Sequence, residues 1–363
     1  MKDFQIGNST KLLFRNDPLD DLAKLTSGKR VMFVYGGGSV RTNGCYDDVI
    51  ASVKKGNGQF FEFANASREL SDIQKGIQLT KENQIELLIG AGGASVMDAT
   101  KIISFGHYND NYWDLIKNDK YLEGYRHIPL ILIPTYPSSG SEYDDSAVGT
   151  DKGYFGLAWG LTSEHSILVP KYSLSLNREM TTYSSLVTLV QLCIAILGDK
   201  NPISYDFGIS VIKNVLKAAK KLKTDPNDLN SRGVILFGAS ISTSSWVGLG
   251  KELNYAFEIY YIEIVAEVLF NTTYRKALTI VFPQVLKFFA KSHEDDIRSL
   301  LHDAFGFDGS IDDSLSKIVQ LFEEFNIDMK FNESFSDEKL SKIENKSSLT
   351  VEELSAILKN SVK

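Results

Sequence analysis

The chain is expected to fold as an α/β domain on a parallel sheet, Rossmann-like, followed by an all-α domain. Three observations predict this. Short apolar runs alternate with amphipathic stretches over roughly the first 170 residues, the pattern of strands covered on both faces by helices. Several of those runs end in glycine clusters. From about residue 171 the strand-like runs give way to long stretches of helical periodicity. The expected division is therefore 1–170 and 171–363.

Each element has its own warrant. VMFVY (31–35) is a strand ending in GGGS (36–39), and a helix follows over 46–55. QFFEF (59–63) is a second strand, and SRELSDIQKGIQLTKEN (67–83) is an amphipathic helix. IELLIG (85–90) is a third strand, with a glycine turn and a helix from Ser95. HIPLILIPT (127–135) is a fourth, and GTDKGYFGLAWG (149–160) reads as a hairpin. Helices are then expected over 178–198, 204–223, 231–247, 253–270, 275–290 and 311–325, and the polar segment 331–350 is expected to pack loosely.

Composition bounds the function. At 363 residues the chain exceeds one ordinary core, so two domains are expected. A net charge of −7 argues against nucleic acid or an anionic membrane as partner. The lysines of KNVLKAAKKLK (213–223) fall at helical spacing beside apolar positions and read as a solvated face. Two cysteines, Cys45 and Cys193, build neither a disulfide framework nor a metal knuckle. The opening MKDFQIGNSTK lacks a secretory apolar core and no run of 18 apolar residues occurs, so the cytoplasm is the expected compartment.

Three stretches point to a nucleotide. LLIGAGGASVMDATK (87–101) turns from a strand on glycines into a helix, an arrangement that presents backbone N–H groups to phosphate. YGGGSVRTNG (35–44) ends a strand with three glycines, Ser39 and Arg41, without the acid that meets an NAD ribose, a combination suited to a 2′-phosphate. PTYPSSGSEYDDSAV (134–148) sets Ser138, Ser139 and Ser141 after the fourth strand, where ligands meet parallel sheets. A tight structural turn explains the first stretch equally well when it is taken alone, and a serine-rich turn the third.

In combination these stretches resemble the iron-dependent alcohol dehydrogenase family, in its NADP-linked butanol dehydrogenase and aldehyde reductase branch. NSTKLLF (8–14) resembles the family's opening strand, YGGGSVRTNG its Y-G-G-G-S-[IV]-K-x-x-G, and GGASVMDATK (92–101) its G-G-G-S-V-x-D-x-x-K, with Ala94 for the third glycine. PSSGSE (137–142) resembles P-A-T-G-S-E, and LTIVFP (278–283) resembles L-A-I-V-L-P. The resemblance implies a dehydroquinate synthase-like α/β domain plus a helical metal-binding domain, and a homodimer. It also implies NADP, with NAD the weaker alternative, bound by Gly36, Gly37, Gly38, Ser39, Arg41, Asn43, Gly92, Gly93, Ala94, Ser95, Asp98, Thr135, Ser138 and Ser139. Asp98 is the one candidate for catalysis; orienting the ribose or complementing the helix dipole are its other readings.

The likeness breaks at the metal. The family's ligands are one Asp and three His. Gapless alignment from LVPKYSLSLNREM (168–180) and LTIVFP puts those positions at Val187, Gln191, Ile264 and Tyr274. Independently of register, no histidine lies between 166 and 292; the five are His107, His127, His165, His293 and His302. Glu263 and Glu267 lie near Ile264 but lack a nitrogen partner and read as a polar helix face. The family's D-P aspartate is Val169, and its hairpin lysine falls at Tyr154, beside Lys152. No metal is expected. The functional expectation is an NAD(P)-binding oxidoreductase-family protein with metal-dependent hydride transfer impaired or lost. The alternative is a non-catalytic protein that binds a nucleotide or a partner.

Overall fold

A computed structural model describes residues 3, 4, 6–118, 120–152, 154–198, 201–249, 255–343 and 345–363. The chain divides into two compact units.

The first unit spans Gly7–Asn177 and Pro226–Ser244. Its six-stranded sheet contains β1 (Lys11–Phe14), β2 (Arg30–Tyr35), β3 (Gln59–Phe63), β4 (Leu87–Gly92) and β5 (Leu130–Pro134). After a separate antiparallel hairpin, β6 (Ser146–Asp151) with β7 (Tyr154–Trp159), the sixth sheet strand is β8 (His165–Leu168). The order is β1-β8-β5-β4-β2-β3, and every pairing in it is parallel. Strand alternation sends Met32 and Val34 to one face and Val31, Phe33 and Tyr35 to the other. The first face packs under the helices Leu70–Glu82 and Ala94–Gly106 through Ile73, Ile77, Ala99 and Ile103. The second packs against Leu22, Val40, Val49 and Val53. Apolar residues on both faces explain why these strands read as near-continuous apolar runs.

β4 begins and ends two residues later than expected, so Gly92 as well as Gly90 belongs to the strand rather than to the turn. The reason is contact distance. A Cβ on Gly90 would stand 2.5 Å from Thr100 Oγ1, and one on Gly92 would stand 2.9 Å from Val96 Cγ2. Glycine lets the helix Ala94–Gly106 lie directly on the strand that leads into it.

The expected boundary at residue 170 needs correction. The first unit continues to Asn177, and the helix Leu229–Ser242 belongs to it rather than to the helical domain. Arg232, buried on that helix, donates to the Ser173 and Pro226 carbonyls, and Gly233 leaves room for Phe14 of β1. Helical periodicity alone does not say which body a helix covers.

The second unit comprises Met1–Ile6, Arg178–Asp225 and Ser245–Lys363, within the described residues. Its main helices are Arg178–Ile196, Pro202–Thr224, Glu258–Phe270, Tyr274–Phe289, Glu294–Phe305, Ile311–Glu323 and Val351–Lys359. Residues 253 and 254, where one helix was expected to start, lie outside the described residues. Arg178–Ile196 is long and apolar enough to cross a bilayer, yet most of it is buried against its own unit. The segment after 330 is not loose. Phe331 is buried, stacks on Phe270 at 4.1 Å between ring centroids, and exchanges backbone hydrogen bonds with Ser361 and Lys363. Its polar composition hid three apolar anchors, Phe331, Leu340 and Leu349.

Candidate nucleotide site and the ligand positions of the helical unit

In a parallel sheet all carboxyl ends lie along one edge. β5, β4 and β2 are neighbours, with Gly92 opposite Pro134 and Tyr35 opposite Ala91. The loops that follow them, beginning at Gly36, Gly93 and Thr135, therefore lie side by side. A Cβ on Gly36 would come 3.1 Å from Val96, so the first loop packs on the helix after β4. Gly37 and Gly38 are different: a Cβ on either would meet nothing within 4 Å. Their bare backbone faces open space, as an approach to pyrophosphate requires. Ser138, at the start of the third loop, is buried, and its Oγ has no hydrogen-bond partner in the protein. An orphaned buried hydroxyl in such a cradle fits a bound polar ligand.

Several predicted residues turn out to hold the loops. Asp98 is buried and accepts from Ser141 Oγ (2.5 Å) and the Val148 N–H (3.2 Å), tying the helix after β4 to the third loop and to β6. Burial raises its pKa to about 6 against the lowering effects of Lys101 and Ser141. Lys101 directs its fully buried ammonium at Asp144 Oδ1 (2.8 Å), the Asp144 carbonyl (3.1 Å) and the Ser146 carbonyl (2.7 Å). Three acceptors match its three hydrogens. Asn43 accepts from the Cys45 N–H and donates to the Tyr172 carbonyl, so it caps its own turn. Ser95 Oγ accepts from the Arg68 N–H (3.2 Å), and Ser139 Oγ from the Ser141 N–H (3.2 Å). Thr135 is buried, its N–H bonded to the Gly92 carbonyl. Ser39 opens the short helix Ser39–Thr42, with Arg41 on it.

Two groups escaped the sequence reading. Glu142, inside the quoted PSSGSE, is buried and accepts from Ser240 Oγ (2.5 Å) on the helix Leu229–Ser242. Burial pushes its pKa up to about 7, beyond what the Ser240 hydrogen bond offsets. Glu62, the acid of QFFEF, brings a carboxylate to the end of β2, where an acid was expected to be absent. Its Oε2 accepts from Tyr35 (3.1 Å) and Tyr46 (2.8 Å) and lies 3.4 Å from Arg41 Nη2. Strand alternation on β3 was the available signal, since it sets Glu62 on one face with Phe60.

In the helical unit, two of the four positions aligned with metal ligands meet. Gln191 Nε2 donates to the Tyr274 hydroxyl at 3.0 Å. Val187 lies one turn before Gln191 on the same helix, and both are buried. Glu263 is buried and Ile264 only half-buried, so Glu263 does not sit on a solvated polar face as its spacing suggested. Burial first, then Tyr260, Glu263 and Glu267, raises the Tyr274 pKa well above the ordinary phenol value. Chemically this is a protonated phenol bonded to an amide, with carboxylates beside it and Val187 methyls one turn away. Among the described residues no three His, Cys, Asp or Glu side chains cluster closely enough to hold a metal. The donors present do not fit an iron or zinc site, which calls for imidazole, thiolate or carboxylate in convergent sets.

Fold and loops define a class: a parallel α/β unit with a glycine-lined carboxyl edge, joined in one chain to a helical unit. Residues 9–174 match the model of the iron-containing alcohol dehydrogenases. The "Probable NADH-dependent butanol dehydrogenase 2" of Bacillus subtilis is 26% identical over 319 residues, covering 85% of this chain and 81% of that protein. The "NADPH-dependent aldehyde reductase YqhD" of Escherichia coli is 23% identical, covering 78% and 75%. The crystal structure of an NADH-dependent butanol dehydrogenase A from Thermotoga maritima superposes with a TM-score of 0.88 at 23% identity, covering 100% of this chain and 99% of that one. The chain is thus similar to the iron-containing alcohol dehydrogenases, in the family model over residues 9–174 and in the named relatives over most of its length.

Proposed function

We propose that this chain binds a nicotinamide dinucleotide on the carboxyl edge of its parallel sheet, NADP(H) ahead of NAD(H), and that the family's metal-dependent hydride transfer is lost. One observation carries the second half. At positions that gapless alignment pairs with the family's Asp and His ligands, this chain has Val187 and a Gln191–Tyr274 hydrogen bond. The relatives' names support a nicotinamide dinucleotide but not the preference, four being NADH-dependent and two NADP- or NADPH-dependent; the preference rests on Arg41. Gly37, Gly38, Gly93 and Ser138 supply the cradle, and Arg41 supplies a cation at the ribose end. Each contact that discriminates a 2′-phosphate contributes about 1–3 kcal/mol.

Two activities remain open to such a protein: alcohol–aldehyde interconversion without metal, and nucleotide binding without chemistry. The burial of Val187, which fills an aligned ligand position with methyl groups, is common to both. Titration calorimetry with NADPH and NADH, followed by NADPH oxidation with a panel of aldehydes under chelator, decides. Binding without turnover supports the non-catalytic reading. Turnover that survives the chelator supports the metal-free enzyme. Turnover abolished by chelator and restored by zinc or iron overturns the proposal. A cytoplasmic homodimer accompanies this reading, and light scattering on the purified protein tests the stoichiometry.

A further inference from the structure

Arg41 is the cation on which a preference for a 2′-phosphate rests, and it is not alone. Its Nη2 donates to the Tyr35 hydroxyl at 2.6 Å, and its guanidinium carbon lies 3.8 Å from the Tyr46 ring centroid. The Tyr35 hydroxyl in turn donates to Glu62 Oε2 (3.1 Å), as does Tyr46 (2.8 Å), while Glu62 lies 3.4 Å from Arg41. The four residues come from β2, the short helix after it, the helix Cys45–Lys55 and β3. Arg41 and Glu62 keep 49% and 44% of their side-chain surface in solvent, so a ligand can reach both.

We propose that Glu62 is a specificity-determining residue for the dinucleotide, restraining the preference for NADP(H) that Arg41 confers. The assignment rests on the nucleotide reading above. A 2′-phosphate drawn to Arg41 brings up to two negative charges beside the Glu62 carboxylate and must compete with it for the same guanidinium. A free 2′-hydroxyl brings no charge and feels neither effect. The repulsion weakens one cofactor and leaves the other untouched. Tyr35 and Tyr46 donate to Glu62, which holds the carboxylate near the guanidinium instead of letting it swing into water.

The test is calorimetric titration of the full chain with NADPH and with NADH. Glu62→Gln keeps the shape and an acceptor oxygen but removes the charge. It is expected to tighten NADPH about five- to tenfold while leaving NADH within about twofold. Adding Arg41→Ala to Glu62→Gln is expected to erase the gain, because the gain acts through the guanidinium. Thermal unfolding of each variant without nucleotide confirms an intact fold. Unchanged or weaker NADPH binding in a folded Glu62→Gln, with wild-type binding intact, overturns this assignment alone. Wild-type protein that binds neither nucleotide overturns the nucleotide reading and the assignment together.

Discussion

Glu142 shows how a single buried acid couples stability to pH. Burial lifts its pKa from an ordinary 4.5 to about 7, while Ser240 holds it by one hydrogen bond. The raised value means that the folded chain keeps a proton that the unfolded chain has released across that interval. The folded state binds more protons there, so stability falls as pH rises from about 4.5 to 7. Asp98, raised to about 6, adds in the same sense at lower pH. Glu142→Gln retains an acceptor for Ser240 and carries no charge. Melting curves at pH 5 and pH 8 are expected to differ less for this variant than for the wild type. An equal difference would mean that Glu142 is not held protonated. Gly37 supports a second prediction at this scale. A side chain there meets nothing within 4 Å, so Gly37→Val is expected to cost under about 0.5 kcal/mol of stability. It is also expected to weaken dinucleotide binding at least about tenfold by filling the cradle. Normal titration of Gly37→Val would place the phosphates elsewhere.

Elements meet through the same glycines for a different reason. Gly90 lies in the middle of β4, where a Cβ would press within 2.5 Å of Thr100 Oγ1 and 3.0 Å of Leu132 Cδ2. Both neighbours are buried, and Thr100 is further fixed by its hydrogen bond to the Val96 carbonyl at 2.7 Å. Gly90→Ala is therefore expected to destabilise by about 1–3 kcal/mol through overpacking, read from urea unfolding. A change below about 0.5 kcal/mol would show that the helix Ala94–Gly106 can move off the strand. The contrast between Gly90 and Gly37 separates glycines kept for packing from glycines kept bare for a ligand. The motif lysine and aspartate divide similarly. Lys101 and Asp98 spend their polar groups on Asp144, Ser146, Ser141 and Val148, so the helix after β4 positions the third loop.

Across the whole molecule, the helical unit carries the question of the metal. Val187→Asp, Gln191→His and Tyr274→His together with native Glu263 would assemble a carboxylate-and-imidazole set on three helices. Without metal these changes are expected to lower the melting temperature, since each unsatisfied buried group costs about 1–3 kcal/mol. Zinc is expected to recover part of the loss by binding only the folded form. A folded variant indifferent to zinc would show that these positions do not converge. The wild-type protein is expected to melt at the same temperature before and after dialysis against a chelator. A clear fall would reveal a metal contributing to the fold.

Local pattern carried much of this protein in its sequence. Short apolar runs bounded by glycine at β2 and β3 and by proline at β5 marked those strands and placed the helices between them, because period and turn chemistry act within a few residues. The glycine loops after β2 and β4, and the absence of histidine from 166 to 292, were equally open to reading. What lay beyond reach depends on residues far apart in the chain. Glu62 reaches Arg41 only because β3 pairs with β2, and Glu142 reaches Ser240 across 98 positions. Helix Leu229–Ser242 joins the α/β unit through Arg232 and Gly233, although its periodicity matches its neighbours in the helical unit. Gln191 and Tyr274 meet across 83 positions, and the burial of Glu263 overrides its polar spacing. Periodicity shows that a helix has a buried face, whereas only the packed fold decides which surface that face covers and which side chains converge there.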